Sequence, residues 1–208
     1  MTASFFPVEA SEFLGELAAK NTREQFTANR STYDNAIRGP LEELTAAAQE
    51  KYGPGKVMRP NRDVRFSTDK SPYRTDASMW AGEVGGVYLR LTATGIEAGG
   101  GLYDPTRDQL ARARTAIASK PLAAARLSSV MATLHSSGYE EAGPPLKTAP
   151  KGYDRDDPNI ELLRLKHYAA VRYLPVTASR EDIEEAWAGV EGLIAWAKDH
   201  VGPALSWP

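Results

Sequence analysis

The stretch "GVYLRLTATGIEAGGGL", Gly86 to Leu102, decides the fold class. Val87, Leu89 and Leu91 alternate with Tyr88, Arg90 and Thr92, the period of two that sends apolar side chains to one face of a sheet and polar ones to the other. Thr94-Gly95 can turn the chain, so a strand over 86–94 and a partner over Ile96 to Leu102 form a hairpin. Gly99, Gly100 and Gly101 remove side chains from that partner strand, which marks a bulge or a tight crossing. The block "AGGGLYDP" (98–105) also places a helix N-terminus just beyond, and such ends attract anions. Asp104 opposes that use, and neither a P-loop nor a G-x-G-x-x-G spacing is present.

Working outward, Pro7 suits the first turn of a helix from about Val8 to Lys20, with Phe13, Leu14 and Leu17 as its stripe. Asn21 with Glu24 reads as a capping box opening a second helix, whose inner face is Phe26, Tyr33 and Ile37. Gly39-Pro40 interrupts it, and a further helix runs from Pro40 to Tyr52 and closes at Gly53. Residues 54–82 read as loop-rich. After the hairpin, Asp104 as N-cap and Pro105 at the first position start a helix that ends near Lys120-Pro121, and Pro121 to about His135 repeats the pattern. Residues 143–157 form a second loop, Asp157-Pro158 opens a short helix through Lys166, and a strand spans Tyr168 to Leu174. Ser179 caps a last helix with Ile183, Trp187, Val190, Ile194, Ala197 and Val201 on its buried stripe; Trp196 lies off that stripe, partly exposed. This order predicts an α+β fold: an antiparallel sheet with a central hairpin packed against several helices, closed by a long C-terminal helix. A single domain over 1–208 is expected, helical over about 7–53, loop and hairpin over 54–104, helices and a final strand-helix over 105–208.

The bulk composition removes whole classes of function. With 208 residues, 42% hydrophobic and 25% charged, the chain reads as an ordinary globular protein. A net charge of −2 argues against a general nucleic-acid coat. The absence of cysteine removes disulfides, thiolate metal sites and a cysteine nucleophile. The opening "MTASFFPVEASEFL" lacks the basic and apolar regions of a signal peptide, and no run approaches the roughly 20 apolar residues of a membrane helix. The expectation is a cytoplasmic protein that does not enter membranes.

Charge concentrates in two segments. "NRDVRFSTDKSPYRT" (61–75) carries Arg62, Arg65, Lys70 and Arg74; Lys147, Lys151, Arg164 and Lys166 lie in or just after the second loop. Arginine offers a planar fork that suits phosphate or carboxylate, and lysine adds a point charge. If both segments face one hollow, Arg65, Lys70, Arg74, Lys147 and Lys151 hold a small anion and Tyr73 or Tyr153 covers it, with Trp80 and Tyr168 near enough in sequence to add to the wall. The alternative is internal pairing, since Asp63, Asp69, Asp76, Asp154, Asp156, Asp157 and Glu161 supply enough carboxylates for every base. Asp69 and Glu161 are the candidate general bases, because His135, His167 and His200 are scattered. Ser67 and Lys70 fit S-x-x-K, but Ser71-Pro72 disfavours the helix that this motif needs. No metal site and no cofactor is expected; a magnesium role for "DRDDP" would need a bridging phosphate.

Four blocks together carry a family likeness: "NTREQF" (21–26), "DVRFSTDKSPYRT" (63–75), "AGGGLYDP" (98–105) and "LKTAPKGYDRDDPNIELLRLKHY" (146–168). They resemble the bacterial family known as domain of unknown function 2461, over nearly the whole chain and in order. That family has no established activity. The resemblance implies one full-length domain, with the charged loops and the glycine block as family features; residues 75–86 match less well.

The functional expectation is therefore binding of a small phosphorylated or carboxylated ligand between the two charged loops. Its rival is a non-enzymatic protein-interaction module whose loops are held by an ion-pair network. Single-stranded nucleic-acid binding ranks last on charge.

Overall fold

The computed structural model describes residues 3–65 and 68–205. From the N-terminus come α1 (Val8–Ala19), α2 (Arg23–Ala28), α3 (Arg30–Thr32), a π-turn (Tyr33–Arg38) and α4 (Gly39–Tyr52). The strands β1 (Gly55–Val57), β2 (Ala77–Glu83), β3 (Gly85–Leu91) and β4 (Ile96–Leu102) follow, then α5 (Arg107–Ser119), α6 (Pro121–Ser136) and β5 (Glu140–Glu141). The chain closes with α7 (Ile160–Arg164), β6 (Tyr168–Leu174), α8 (Arg180–Gly189) and α9 (Glu191–His200). The strands make one open antiparallel sheet in the order β1-β2-β3-β4-β6-β5. The fold is α+β with the expected hairpin at its centre. Val87, Leu89, Leu91 and Ile96 are buried, as the alternation requires.

The glycine block has a packing reason. A Cβ on Gly99 would fall inside the shell of Ala170 O, one on Gly100 would strike Gly86 O, and Gly101, at φ +118°, lies as close to Tyr168 O. Neighbouring backbone therefore occupies the space on β4 that side chains would need. This is the structural use of the glycines, and Asp104 is not the cap of the helix beyond. Thr106 is: its Oγ1 accepts from the Gln109 amide (3.3 Å), and Gln109 Oε1 accepts from the Thr106 amide (3.1 Å).

Other boundaries move where a side chain has a tertiary duty. Asn21 does not cap α2, because its side chain is paired with the backbone of Tyr73; Thr22 caps instead, accepting from the Gln25 amide at 3.2 Å. Gly39-Pro40 does not interrupt the helix. The Gly39 amide donates to Asp34 O, one residue further back than in an α-helix, and this π step lets a proline that lacks a donor sit at the start of α4. Gly53, at φ 109°, closes α4 as expected. The loop-rich segment 54–82 also holds β1 and all of β2 but its last residue. The short helix opens at Ile160 rather than at Pro158, with Asp157 Oδ1 accepting from the Asn159 amide (2.7 Å) in a turn before it.

At the C-terminus, Ser179 and Asp182 cap α8 reciprocally. The helix then breaks at Val190. The Tyr139 hydroxyl donates to Ala186 O at 3.0 Å, and the Val190 amide donates to Trp187 O at 3.2 Å. The predicted stripe from Ile183 to Val201 stays buried across the break. Trp196 is buried completely, with its Nε1 donating to Ala123 O (2.9 Å), so the expected partial exposure is corrected.

The chain divides into two compact units, each with its own core. The first comprises the residues through Gly82 with Tyr88–Ala98 and Tyr173–Glu185, and the second comprises Glu83–Val87, Gly99–Arg172 and the residues from Ala186 on. In the first, Phe13, Phe26 and Tyr33 meet at ring separations of 5.1–5.8 Å beside Ile37, Leu41 and Leu44. In the second, Tyr168 packs on Trp196 at 5.4 Å among Ile117, Leu127 and Leu163.

Candidate functional site

The charged stretch 61–75 is the outer part of the hairpin that joins β1 to β2. The Met58 amide donates to Ser78 O (2.8 Å), the Arg74 amide to Pro60 O (2.8 Å) and the Arg62 amide to Pro72 O (2.9 Å), and Asn61 bridges Tyr73. Asn21 clamps this arm from the helical side. Its Nδ2 donates to Tyr73 O (2.9 Å), its Oδ1 accepts from the Tyr73 amide (3.1 Å), and the Tyr73 ring stacks on Phe26 at 4.0 Å.

The bases of this arm are engaged locally. Arg65 Nη2 binds Asp63 Oδ2 at 2.7 Å, Arg74 Nη2 binds Asp76 Oδ2 at 2.7 Å, and Arg62 pairs with Asp69. Lys70 Nζ donates to Val64 O at 3.0 Å. The Arg65 hydrogen bonds hold the Asp63 carboxyl down at about 2. Hydrogen bonds from Ser71, and then Arg62, do the same to Asp69, which leaves it a weak base at neutral pH. Ser67 and Phe66 lie outside the described residues.

The second loop belongs to the second unit. Leu146 and Arg164 hold it at its root: the Leu146 amide donates to Arg164 O (2.8 Å), and Arg164 Nε donates back to Leu146 O (2.6 Å). Glu161 takes the other end of the same guanidinium at 3.1 Å. Lys147 and Lys151 are exposed, and Tyr153 is half-buried with its amide on Pro150 O (3.1 Å). Tyr168 is core rather than wall, and burial raises the pKa of its hydroxyl. Among the expected ligand residues, Arg65, Lys70, Tyr73 and Arg74 thus share the first unit, while Lys147, Lys151 and Tyr153 lie in the second.

The first unit holds a cleft of about 420 Å³ that sequence reasoning did not single out. One wall is helical, with Arg30, Tyr33, Arg38, Glu42, Thr45 and Gln49; the other is the strand edge and its continuation, Gly55 to Pro60. Four cations therefore line it, Arg30, Arg38, Lys56 and Arg59, with Glu42 as the carboxylate among the described lining residues. Arg30 and Arg38 each use Nε on a carboxylate, Asp34 at 2.9 Å and Glu42 at 2.8 Å, and their terminal nitrogens make no hydrogen bond among the described residues, with the Arg30 guanidinium 5.9 Å over the Phe26 ring. Lys56 and Arg59 form no ion pair among the described residues, although Arg59 lies in the field of Asp63. Tyr33 turns its ring into the core and feels the charges of Arg38, Asp34, Arg30 and Glu42; its burial raises the hydroxyl pKa, so it stays a neutral donor.

Backbone adds a further donor. β1 is the end strand of the sheet. On either side of it the Pro54 carbonyl and the Met58 amide face β2, through Gly82 N–H to Pro54 O (2.8 Å) and Met58 N–H to Ser78 O (2.8 Å). In an antiparallel ladder the alternate residues, Gly55 and Val57, face the other way. Gly55 O accordingly meets Gln49 Nε2 at 3.5 Å, and the Val57 amide points to the same open edge. The arrangement turns several cationic and backbone donors towards one hollow. The signal that would have found it is Lys56 and Arg59 just after a helix carrying Arg30 and Arg38, a pattern that becomes visible once β1 is known to run beside that helix.

No curated protein and no solved structure matches the chain. Among the described residues, no helix is long and apolar enough to cross a membrane. The model of one family, described as a conserved hypothetical protein, matches residues 9–194, and the chain belongs to that family, DUF2461.

Proposed function

We propose that the protein is a cytoplasmic binding domain for a small anionic ligand, phosphorylated or carboxylated, and that the cleft between the π-turn and β1 is its seat. The observation that carries this reading is the convergence of Arg30, Arg38, Lys56 and Arg59 on one cleft, Lys56 and Arg59 having no ion pair among the described residues. In this reading Tyr73 and Arg74 brace the cleft through Phe26 and Pro60, and Arg65 and Lys70 shape the tip of the hairpin. Lys147, Lys151 and Tyr153 form a second, weaker anion contact in the other unit.

The test is the melting temperature with added inorganic phosphate at constant ionic strength, chloride serving as control. Ligand at a hundredfold excess over Kd should raise Tm by about 5–10 °C. The rise should vanish in Lys56→Ala/Arg59→Ala and persist in Lys147→Ala/Lys151→Ala. Loss in the second variant alone would move the site to the second unit.

The ion pairs of the 61–76 arm favour a second reading, a protein-interaction module in which these charges hold the loop. Under it phosphate leaves Tm unchanged, and Arg65→Ala or Arg74→Ala lowers Tm without any ligand.

A further inference from the structure

We infer that the ligand of this cleft is a phosphate monoester of a small polyhydroxylated molecule, an inference that rests on the anion reading above. Charge is the first argument. The four lining cations face Glu42 within the cleft and Asp34 beside it, so an excess of about two positive charges remains. A phosphate monoester carries −1.5 to about −2 at neutral pH, whereas a monocarboxylate would leave part of that excess unmatched.

Donor geometry is the second. The donors approach from two walls: the Arg30 and Arg38 forks from the helical side, Lys56 Nζ, the Arg59 fork and the Val57 amide from the strand edge. A planar carboxylate is satisfied by a single fork. Three tetrahedral oxygens can use convergent donors from both walls at once.

Size and lining supply the third. A phosphate group alone fills a small part of 420 Å³, a volume within the usual range of small-molecule sites. The rest of the helical wall presents the Thr45 hydroxyl, which donates to Leu41 O and keeps its acceptor capacity, and Gln49, whose amide makes only a long contact with Gly55 O. These groups suit hydroxyls. The lining aromatic, Tyr33, has its ring committed to Phe13 and Phe26, so it offers no stacking face to a nucleobase.

Isothermal titration of the full chain with glucose 6-phosphate, inorganic phosphate, malate and AMP, at equal ionic strength, tests this. Glucose 6-phosphate is expected to bind at least about tenfold more tightly than each of the others. Lys56→Ala/Arg59→Ala should weaken it by about a hundredfold, with an unchanged Tm of the free protein showing that the variant folds. Gln49→Ala should narrow the gap between glucose 6-phosphate and inorganic phosphate while leaving phosphate itself unaffected. Equal or tighter binding of malate or AMP overturns the ligand class and leaves the anion site standing. Binding that survives the double variant overturns the placement, and no binding by any of the four overturns both.

Discussion

A single methyl group on β4 should be costly. Gly99→Ala directs its Cβ into Ala170 O, which belongs to backbone and cannot rotate away, so the sheet itself must shift. We expect a loss of about 3 kcal/mol or more by urea denaturation, at the upper end of overpacking effects. Gly138→Ala is the control for backbone strain alone, since Gly138 has φ +79° and nothing within 4 Å of the added atom. The carboxylates of the hairpin tip make a second prediction. Asp63 and Asp69 titrate at about 2 in the folded chain, below the ~3.9 of a free aspartate. Their contribution to tip order is thus complete above pH ~4 and is lost as pH falls through about 2. A carboxyl-carbon NMR titration should show both low midpoints, and Arg65→Ala should return Asp63 towards the free value while leaving Asp69 in place.

Elements were legible where burial is one-sided. β3 alternates because one of its faces is core, and α1, α5 and α6 carry apolar stripes. β2 escaped because Ala77, Ser78, Met79, Ala81 and Gly82 are buried on both faces and leave no alternation to read, and β1 has three residues. Helix ends were misplaced where capping side chains had distant partners, as Asn21 has in Tyr73, or where a better reciprocal pair lay two residues on, as with Thr106 and Gln109. The cleft was unreadable for a related reason: its two walls, 30–49 and 55–60, are adjacent only after α4 and β1 fold side by side. The Asn21 clamp is testable at this scale. Asn21→Ala removes two hydrogen bonds to Tyr73 without touching the core, so limited proteolysis within 61–75 should accelerate several-fold while the global unfolding free energy falls by about 1–2 kcal/mol at most. Equal acceleration at sites in α5 or α6 would contradict a local clamp.

For the molecule as a whole, the family assignment and the geometry answer different questions. Membership in DUF2461 covers residues 9–194 and names no reaction. Function must come from the site, and the site that combines space, convergent cations and an open backbone donor is the cleft of the first unit. In the neighbouring arm, Arg62 pairs with Asp69, Arg65 with Asp63 and Arg74 with Asp76. The most direct measurement is an anomalous difference map from a crystal soaked in tungstate, an electron-dense tetrahedral dianion. The account predicts its strongest peak within hydrogen-bond reach of Arg59, Lys56 and the Val57 amide. Strong peaks elsewhere on the molecule, with only water between α4 and β1, would contradict it.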